Sequence, residues 1–164
     1  MRRALIATTV AGLLFAAAAA AALPRAGTLV PGRSLGGIRL GESPHAVRAA
    51  LGTFYGTCHG CPRRTWYFTY RPFDKRGLAV EFTGGRVSGV YTLWRPAGWH
   101  APHRLGFGSS VLAVHRLTGA SRTATCRGYE ALIRDSPHAR TAYYLFDGRL
   151  WGFGLFRRGA SPCR

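Results

Sequence analysis

The sequence predicts an α+β protein built from two tandem units, each a short helix followed by three antiparallel strands, with the helices packed on one face of a curved antiparallel sheet. Two internal alignments support this fold class. Residues 40–52 align without gaps on residues 107–119, and five of the thirteen columns are identical. Residues 79–93 align on residues 142–156, with alanine, glycine, arginine and glycine shared in register. Because the order of the matched segments is kept, we expect two copies of one structural unit.

Each unit is predicted to begin with a helix. Ser43 can cap the first helix through its hydroxyl, and Pro44 already has the backbone angle that the first helical position requires. In the second unit the cap is Ser109 or Ser110. Apolar residues then recur at helical spacing, and a glycine ends each helix. Helices this short are unstable alone, so both must pack against another element.

Three strands are predicted to follow each helix, because aromatic and β-branched residues are dense there. Gly84-Gly85 and Asp147-Gly148 separate the last two strands of each unit, and such pairs are typical of two-residue hairpin turns. The predicted strands are residues 65–70, 78–82 and 86–93 in the first unit and residues 129–134, 141–146 and 149–156 in the second.

The chain is predicted to divide into a signal peptide (residues 1–23), a first unit (24–94), a linker rich in proline, glycine and histidine (95–104) and a second unit (105–164). Arg2 and Arg3 precede an unbroken run of small and apolar residues, which is the pattern of an export signal. An uncleaved N-terminal anchor is the alternative, since the run approaches membrane-spanning length. The expected location is secreted or extracytoplasmic, with no membrane span once the signal is cleaved.

The composition is strongly basic, with a formal net charge of +17 and one lysine among 23 basic residues. Such a charge favours anionic partners, although the excess of arginine and the lack of asparagine and glutamine are also typical of a GC-rich coding sequence. One function class is therefore a binder of anionic cell-wall polymer. Its candidate residues are Arg63, Arg64, Arg157 and Arg158. No nucleic-acid partner is expected, and the protein is expected to be a monomer.

Four cysteines in an exported chain predict two disulfides. We favour Cys58–Cys61 and Cys126–Cys163, since the second pair would close the second unit on itself and tether the end of the chain. The alternative joins Cys58 or Cys61 to Cys126 and would link the two units.

The C-x-x-C spacing of Cys58 and Cys61 also allows a thiol oxidoreductase, which is the enzyme alternative. Such enzymes place the cysteine pair at a helix N-terminus, whereas here Pro62 leads into a predicted strand. A zinc site would need further ligands such as His100 and His103, and nothing in the sequence brings them close. No metal and no cofactor are expected.

Hydrolase motifs are missing from the sequence, which contains neither G-x-S-x-G nor H-E-x-x-H. Aspartate and glutamate together number six, and no paired-carboxylate or Ser-His-acid arrangement stands out among them. We therefore expect a protein that is not an enzyme.

The repeated helix motif resembles a known pattern. Residues 40–52 read LG-x-S…V…LG and residues 107–119 read FG-x-S…V…G. This is similar to the LGMT…V…LG motif of the β-lactamase-inhibitor-protein-like repeat proteins and the related small outer-membrane assembly lipoproteins. The resemblance covers both units and implies a curved sheet with helices behind it and a surface that binds other proteins. The chain differs in lacking a lipidation cysteine and in having Glu42-Ser43 at the Met-Thr position, and its arginine-rich character resembles secreted actinobacterial proteins of unknown role.

Hairpin geometry predicts the binding surface. With two-residue turns, alternate residues lie on opposite faces, which places Gly89, Tyr91 and Gly152 on the core face. The opposite face is polar in the first hairpin but aromatic beside an arginine in the second, as in a protein-binding hot spot. The predicted partner-binding residues are Tyr144, Phe146, Arg149, Trp151 and Phe153. The alternative is that the linker, with Trp94 and Trp99, or the C-terminal tail covers this face.

These observations together predict an exported, non-catalytic protein-binding module of the cell envelope or the extracellular space. Its partner is an envelope or extracellular protein that the sequence does not identify.

Overall fold

A computed structural model describes residues 23–24 and 26–164. The predicted signal peptide, residues 1–23, lies almost entirely outside the described residues. Among the residues that are described, no helix has the length and apolarity needed to cross a membrane.

The described chain is mostly β-structure, so the predicted α+β class of helix-plus-three-strand units is wrong. Its helices are α1 (Pro44–Leu51) and α2 (Val111–Thr118), and a 3₁₀ turn spans Pro102–Arg104. The strands are β1 (Leu29–Val30), β2 (Ser34–Leu35), β3 (Gly56–Thr57), β4 (Arg64–Thr69), β5 (Gly77–Thr83), β6 (Arg86–Leu93), β7 (His100–Ala101), β8 (Leu105–Gly106), β9 (Arg122–Cys126), β10 (Tyr129–Asp135), β11 (Ala139–Phe146) and β12 (Arg149–Arg157).

One antiparallel sheet organises the described residues, with eight strands in the order β3-β4-β5-β6-β12-β11-β10-β9. Each half of the sheet holds four strands, one more than the sequence predicts. The additional strands are β3 and β9, which form the two edges. Both edges are short and mostly exposed, so they lack the apolar alternation that marks a strand in sequence. The halves join where β6 pairs with β12, through Gly89 opposite Phe156 and Tyr91 opposite Gly154.

Both helices form where the caps predict them. The Ser43 hydroxyl accepts a hydrogen bond from the Ala46 backbone at 3.2 Å, and the Ser110 hydroxyl accepts one from the Ala113 backbone at 3.3 Å. The loops before the helices are attached to the hairpins in equivalent ways. Gly41 and Glu42 exchange backbone hydrogen bonds with Val87, and Gly108 and Ser109 exchange them with Leu150. Each helix is thereby held against the second strand of its own hairpin.

The predicted hairpin turns are confirmed. Gly84 and Gly85 have φ angles of 58° and 69°, and Asp147 and Gly148 have φ angles of 49° and 65°. Left-handed backbone at both central residues is the type I′ geometry whose twist matches that of the flanking strands.

Each hairpin contains a β-bulge that the sequence analysis did not foresee. In the first, Glu81 pairs with Gly89 while its neighbour Phe82 pairs with Val87, which leaves Ser88 unpaired. In the second, Tyr144 pairs with Gly152 while Leu145 pairs with Leu150, which leaves Trp151 unpaired. One extra residue reverses the inside–outside alternation beyond it. The predicted face assignment is therefore wrong past the bulges, and Gly89, Tyr91 and Gly152 lie on the face opposite to the predicted one.

The sheet buries apolar side chains on both faces. The first face carries the helices and the segments around β1, β2, β7 and β8, and its largest fully buried residues include Trp66, Phe68, Tyr143 and Phe153. The second face carries a smaller cluster, which consists of Ala79, Tyr91, Cys126, Ala131, Ala142, Tyr144 and Phe156. Residues 158–164, which we call the closing segment, lie over this second cluster and contribute Ala160 and Cys163 to it.

A glycine-lined slot on the second face accommodates the ring of Phe156. A Cβ atom added at Gly154 would lie 2.5 Å from that ring and 2.7 Å from the hydroxyl oxygen of Tyr144. We expect Gly154→Ala to lower the free energy of unfolding by about 1–3 kcal/mol because the added methyl overpacks the slot. Urea denaturation measures this. The control is Gly56→Ala on the edge strand β3, where nothing lies within 4 Å, and equal losses in both variants would contradict the slot.

Candidate functional site

A cleft of about 520 Å³ opens on the second face, and we call it the aromatic cleft. It lies where the end of β6, the β9–β10 turn and the β11–β12 turn meet. Its lining residues are Trp94, Arg95, Gly128, Tyr129, Phe146, Asp147, Arg149 and Trp151.

Aromatic rings form most of the cleft wall. Trp94 is 62% exposed and Phe146 is 61% exposed, which is unusual for side chains of this size. Trp151 is half-buried and meets Tyr129 edge to face, with ring centroids 5.7 Å apart. Because Trp151 is the bulged residue of its hairpin, the bulge directs it into the cleft.

The backbone after β6 turns sharply to present Trp94. Both Trp94 and Arg95 have left-handed backbone, with φ angles of 47° and 42°. Residues other than glycine adopt this conformation only at a cost of order 1 kcal/mol each, and such residues concentrate at binding and active sites. Lys75 holds its ammonium nitrogen 5.4 Å from the Trp94 ring centroid.

Charge around the cleft is predominantly positive. Arg95 and Arg149 are exposed on its lining, and Asp147 in the hairpin turn is the acidic residue among them. Arg149 donates a hydrogen bond to the Gly108 carbonyl at 3.3 Å, which keeps its guanidinium near the cleft wall. The cleft therefore offers apolar ring surface bordered by cationic groups.

The closing segment covers the remainder of the second face and supports one wall of the cleft. Tyr144 donates its hydroxyl proton to the Pro162 carbonyl at 2.8 Å beneath the segment. Tyr129, in the cleft wall, donates its hydroxyl proton to the Arg164 carbonyl at 2.8 Å and accepts a hydrogen bond from the Arg164 backbone at 2.6 Å. The Cys126–Cys163 disulfide ties the segment to β9.

Arg164 also anchors the closing segment on the first hairpin. Its guanidinium donates to the Glu81 carboxylate at 2.9 Å and lies 4.4 Å above the Phe156 ring centroid. Glu81 is buried, so this pairing supplies the opposite charge and hydrogen bonds that a buried carboxylate requires. The closing segment is thus attached at both sheet halves.

The five predicted partner-binding residues separate into two groups. Phe146, Arg149 and Trp151 line the aromatic cleft. Tyr144 is buried beneath the closing segment, and Phe153 is fully buried in the first-face core. The burial of Phe153 follows from the bulge at Trp151, because the extra residue places Phe153 on the face opposite to the predicted one.

Sequence reasoning missed four side chains of the cleft, one of which, Asp147, it identified only as a turn residue. Trp94 and Arg95 follow a strand that was assigned to the first unit, and Tyr129 follows the unpredicted edge strand β9. Trp94 was considered as a residue that covers this face, and it instead forms an exposed wall. Trp99, the other tryptophan considered for that role, is buried against Gly27 and Gly36 in the first-face region.

The cysteines form the pairs that the sequence analysis favoured, Cys58–Cys61 and Cys126–Cys163. Cys58 and Cys61 lie in the loop between strands β3 and β4, with no helix beginning at either residue. Thiol oxidoreductases use a helix N-terminus to lower the thiol pKa, and this loop does not supply one. Within the described residues, no three His, Cys, Asp or Glu side chains form a group that could hold a metal ion.

Comparison with known proteins identifies the fold but no family. No protein-family model matches the chain, and no curated protein matches it at a significant level. A DUF4309 family protein from Bacillus subtilis has a similar structure, with a TM-score of 0.55, 15% sequence identity, and coverage of 71% of this chain and 78% of that one.

An extracellular protein containing an SCP domain from Bacillus anthracis is also similar, with a TM-score of 0.53 and 12% sequence identity. The match covers 73% of this chain and 44% of that protein, so the chain spans less than half of its length. At these identities the likeness shows the fold alone.

Proposed function

We propose that this protein is an exported, non-catalytic binding module and that the aromatic cleft holds a segment of a partner protein in the envelope or the extracellular space. The observation that carries the proposal is the exposure of Trp94 and Phe146 on the wall of one cleft. Burying such rings against a partner removes apolar area from water, and aromatic residues beside arginine dominate protein-binding hot spots.

The chemistry of the cleft specifies the kind of segment that fits. A volume of about 520 Å³ accommodates a few side chains rather than a folded domain. The ring surfaces favour an apolar or aromatic anchor, and Arg95 and Arg149 favour an acidic group beside it. The proposed ligand is therefore a short peptide segment with an apolar anchor flanked by Asp, Glu or a C-terminal carboxylate.

Export is supported by independent features. Both disulfides require an oxidising compartment to persist, which is typical of extracytoplasmic proteins. The Arg2–Arg3 pair and the apolar run after it have the pattern of an export signal. One of the two similar structures is described as an extracellular protein.

Capture of the partner tests the proposal. The oxidised protein is immobilised, and proteins retained from the envelope and culture fractions of the producing organism are quantified by mass spectrometry. We expect Trp94→Ala and Phe146→Ala each to reduce retention of the partner at least about tenfold, since hot-spot aromatics contribute about 2 kcal/mol or more.

The matched control is Phe54→Ala, because Phe54 is 61% exposed like Phe146 but lies outside the cleft. It should retain the partner as well as the unmodified chain does. Retention that is unchanged in both cleft variants, or lost equally in the Phe54 control, contradicts the proposed site.

A second candidate function, binding of anionic cell-wall polymer, is favoured by the placement of the arginine pairs. Arg64 of β4 pairs with Phe82 of β5, which in turn pairs with Val87 of β6. On the other side of β6, Gly89 pairs with Phe156 of β12, and Arg157 is the next residue of that strand. Both pairs therefore occupy the same end of the sheet, about 14 Å apart across three strand spacings. All four arginines are exposed. Retention on a polyanion that falls steeply with salt, and that falls further on replacing these arginines, would favour this function over peptide binding.

A further inference from the structure

The loop between β4 and β5, residues 70–76, presents an apolar side chain to solvent. Phe73 is 102% exposed, the highest value among the large apolar side chains that the structure describes. Its ring is not part of the lining of the aromatic cleft. A phenyl ring left in water forgoes the free energy that its burial would supply, so this placement calls for an explanation.

A tight turn directs Phe73 outward. The Asp74 backbone donates to the Arg71 carbonyl at 3.0 Å, and Pro72 and Phe73 are the two central residues of the turn. Phe73 has left-handed backbone with a φ of 63°. Proline followed by a residue of positive φ is the pattern of a type II turn, in which glycine is the favoured third residue. A phenylalanine there adopts a sparsely populated backbone conformation, and such conformations concentrate at functional sites.

Hydrogen bonds fix the loop on both sides of the turn. The Thr69 hydroxyl donates to the Arg71 carbonyl at 3.0 Å. The Asp74 carboxylate accepts hydrogen bonds from the Arg76 backbone at 2.9 Å and from the Arg76 guanidinium at 3.2 Å and 3.1 Å. Because the loop is already fixed, little conformational entropy is lost when the Phe73 ring is buried against a partner.

A second exposed ring lies beside the loop. Gly77, which begins β5, pairs with Leu93, which ends β6. Trp94 therefore lies at the same end of the sheet as Phe73, and it is 62% exposed. The Lys75 ammonium lies 5.4 Å from the Trp94 ring centroid and connects the loop to that residue. Two aromatic rings thus border one end of the sheet.

Positive charge surrounds these rings. Arg71, Lys75 and Arg95 are exposed at this end of the sheet. Asp74 is the acidic residue of the loop, and Arg76 is paired with it at 3.1 Å. The remaining charge is cationic, so this surface complements an anionic partner.

The shape of this surface favours a lipid bilayer over a folded protein. Because Phe73 stands out from a turn, a folded partner would need a preformed apolar pocket surrounded by acidic groups. A bilayer with anionic lipids supplies both features without a pocket, since the ring enters the acyl region and the cations meet the lipid phosphates. Tryptophan is enriched at the membrane–water interface, where its ring is in apolar surroundings and its N–H is hydrated.

We propose that this end of the sheet docks on the surface of an anionic lipid bilayer, with the Phe73 ring inserted below the headgroups and Arg71 and Lys75 on the lipid phosphates. The contact is peripheral, since loop residues enter the headgroup layer while the sheet stays outside it. This docking is independent of peptide binding at the aromatic cleft. Trp94 borders both surfaces, whereas Phe73 and Arg71 are not on the cleft lining and therefore test the docking alone.

Sedimentation with lipid vesicles measures the docking. The oxidised chain from residue 24 onward is used, because the apolar run of the predicted signal would enter a bilayer by itself. This chain retains every helix and strand of the described fold. Vesicles contain either phosphatidylcholine alone or a mixture with phosphatidylglycerol. We expect partitioning onto the anionic vesicles to exceed that onto the neutral ones at least about tenfold, and to fall as salt is raised.

Phe73→Ala should weaken partitioning onto anionic vesicles about tenfold, because the burial of the ring is lost. Leu117→Ala, which truncates an exposed apolar side chain in the last turn of α2, should leave partitioning unchanged. Phe73→Gly should weaken partitioning as much as Phe73→Ala without lowering Tm, since glycine suits the backbone of the turn. This variant separates loss of docking from loss of folding.

Arg71→Ala should weaken partitioning about fivefold, the usual effect of one cation at an anionic membrane surface. Arg86→Ala, which removes an exposed arginine at the other end of β5 and β6, should not. Equal weakening by both substitutions would show attraction by net charge alone and overturn the docking. Undetectable partitioning onto anionic vesicles, or full partitioning of Phe73→Ala, would overturn it as well.

Partner capture at the aromatic cleft should be unchanged in Phe73→Ala, so failure of the docking and failure of peptide binding are distinguishable. Capture of a soluble protein that depends on Phe73, without vesicle binding, would overturn the docking in favour of a protein partner at this surface.

Discussion

Replacing Phe153 by alanine is expected to lower the free energy of unfolding by about 3–5 kcal/mol. The phenyl ring is fully buried in the first-face core, with its centroid 5.1 Å from the Phe107 ring and 6.2 Å from the Tyr143 ring. Truncation removes those contacts and leaves a cavity that the rigid sheet cannot close. For a chain of this size the loss corresponds to a fall in Tm of about 10–20 °C, which calorimetry or thermal circular dichroism would measure.

Phe146→Ala is the matched control for this change. The residue type and the hairpin are the same, but Phe146 is 61% exposed in the aromatic cleft. Its replacement should change stability by less than about 0.5 kcal/mol. The sequence predicts that Phe153 and Phe146 share the binding face. The two variants therefore distinguish a phenylalanine that packs in the core from one that is exposed in the cleft. Similar losses of stability in both variants would contradict the burial of Phe153 that follows from the bulge at Trp151.

Local sequence signals predicted local structure well. The serine caps, the terminal glycines and the type I′ turns each depend on a few neighbouring residues, and the helices and hairpins form around them. The bulges depend instead on how whole strands fit together. Ser88 and Trp151 differ completely in chemistry yet occupy equivalent bulges, so neither residue type signals the irregularity.

The fold class was wrong for a related reason. Strands β3 and β9 are added at the edges of a sheet whose centre already satisfies the apolar pattern, and edge strands need little apolar alternation of their own. The pairing of β6 with β12 likewise depends on glycines whose missing side chains leave room for a large aromatic ring. Gly89 and Gly154 make space for the Phe156 ring at that junction. Gly89 and Phe156 are more than sixty positions apart in the chain, so no short motif records their complementarity.

The candidate site could be predicted only where it depends on neighbouring residues of one hairpin. Phe146, Arg149 and Trp151 belong to one hairpin, and their proximity follows from its turn. Trp94 and Tyr129 reach the cleft from strands of different halves of the sheet, so their contribution depends on the β6–β12 junction and on the closing segment. Without the strand order, the sequence could not bring them together.

The closing segment connects the stability of the protein to its proposed site. It covers the second-face cluster, supplies Arg164 to the buried Glu81 carboxylate, and holds the Tyr129 hydroxyl at the cleft wall. Residues 158–164 contain no helix or strand, so side-chain and disulfide contacts rather than a regular backbone ladder hold them in place. Removing the disulfide should therefore disturb both the core cover and the cleft.

The double variant Cys126→Ala/Cys163→Ala is expected to lose about 4 kcal/mol of unfolding free energy, because its cysteines are separated by 37 residues and the chain-entropy stabilisation grows with loop length. We also expect weaker partner capture at the aromatic cleft, since Tyr129 loses a fixed hydrogen-bond partner when the segment is released. Chemical denaturation and the capture assay measure the two effects.

Cys58→Ala/Cys61→Ala is the matched control, because that disulfide closes a separation of only three residues and lies away from the cleft. On the same model it should cost about 1.5 kcal/mol, and capture should be unchanged. If both double variants lose capture equally, the effect belongs to general destabilisation and not to the closing segment. If the Cys126/Cys163 variant retains full capture while its unfolding free energy falls, the cleft wall does not need the segment, and Tyr129 is held in place by its packing against Trp151 and Tyr144 instead.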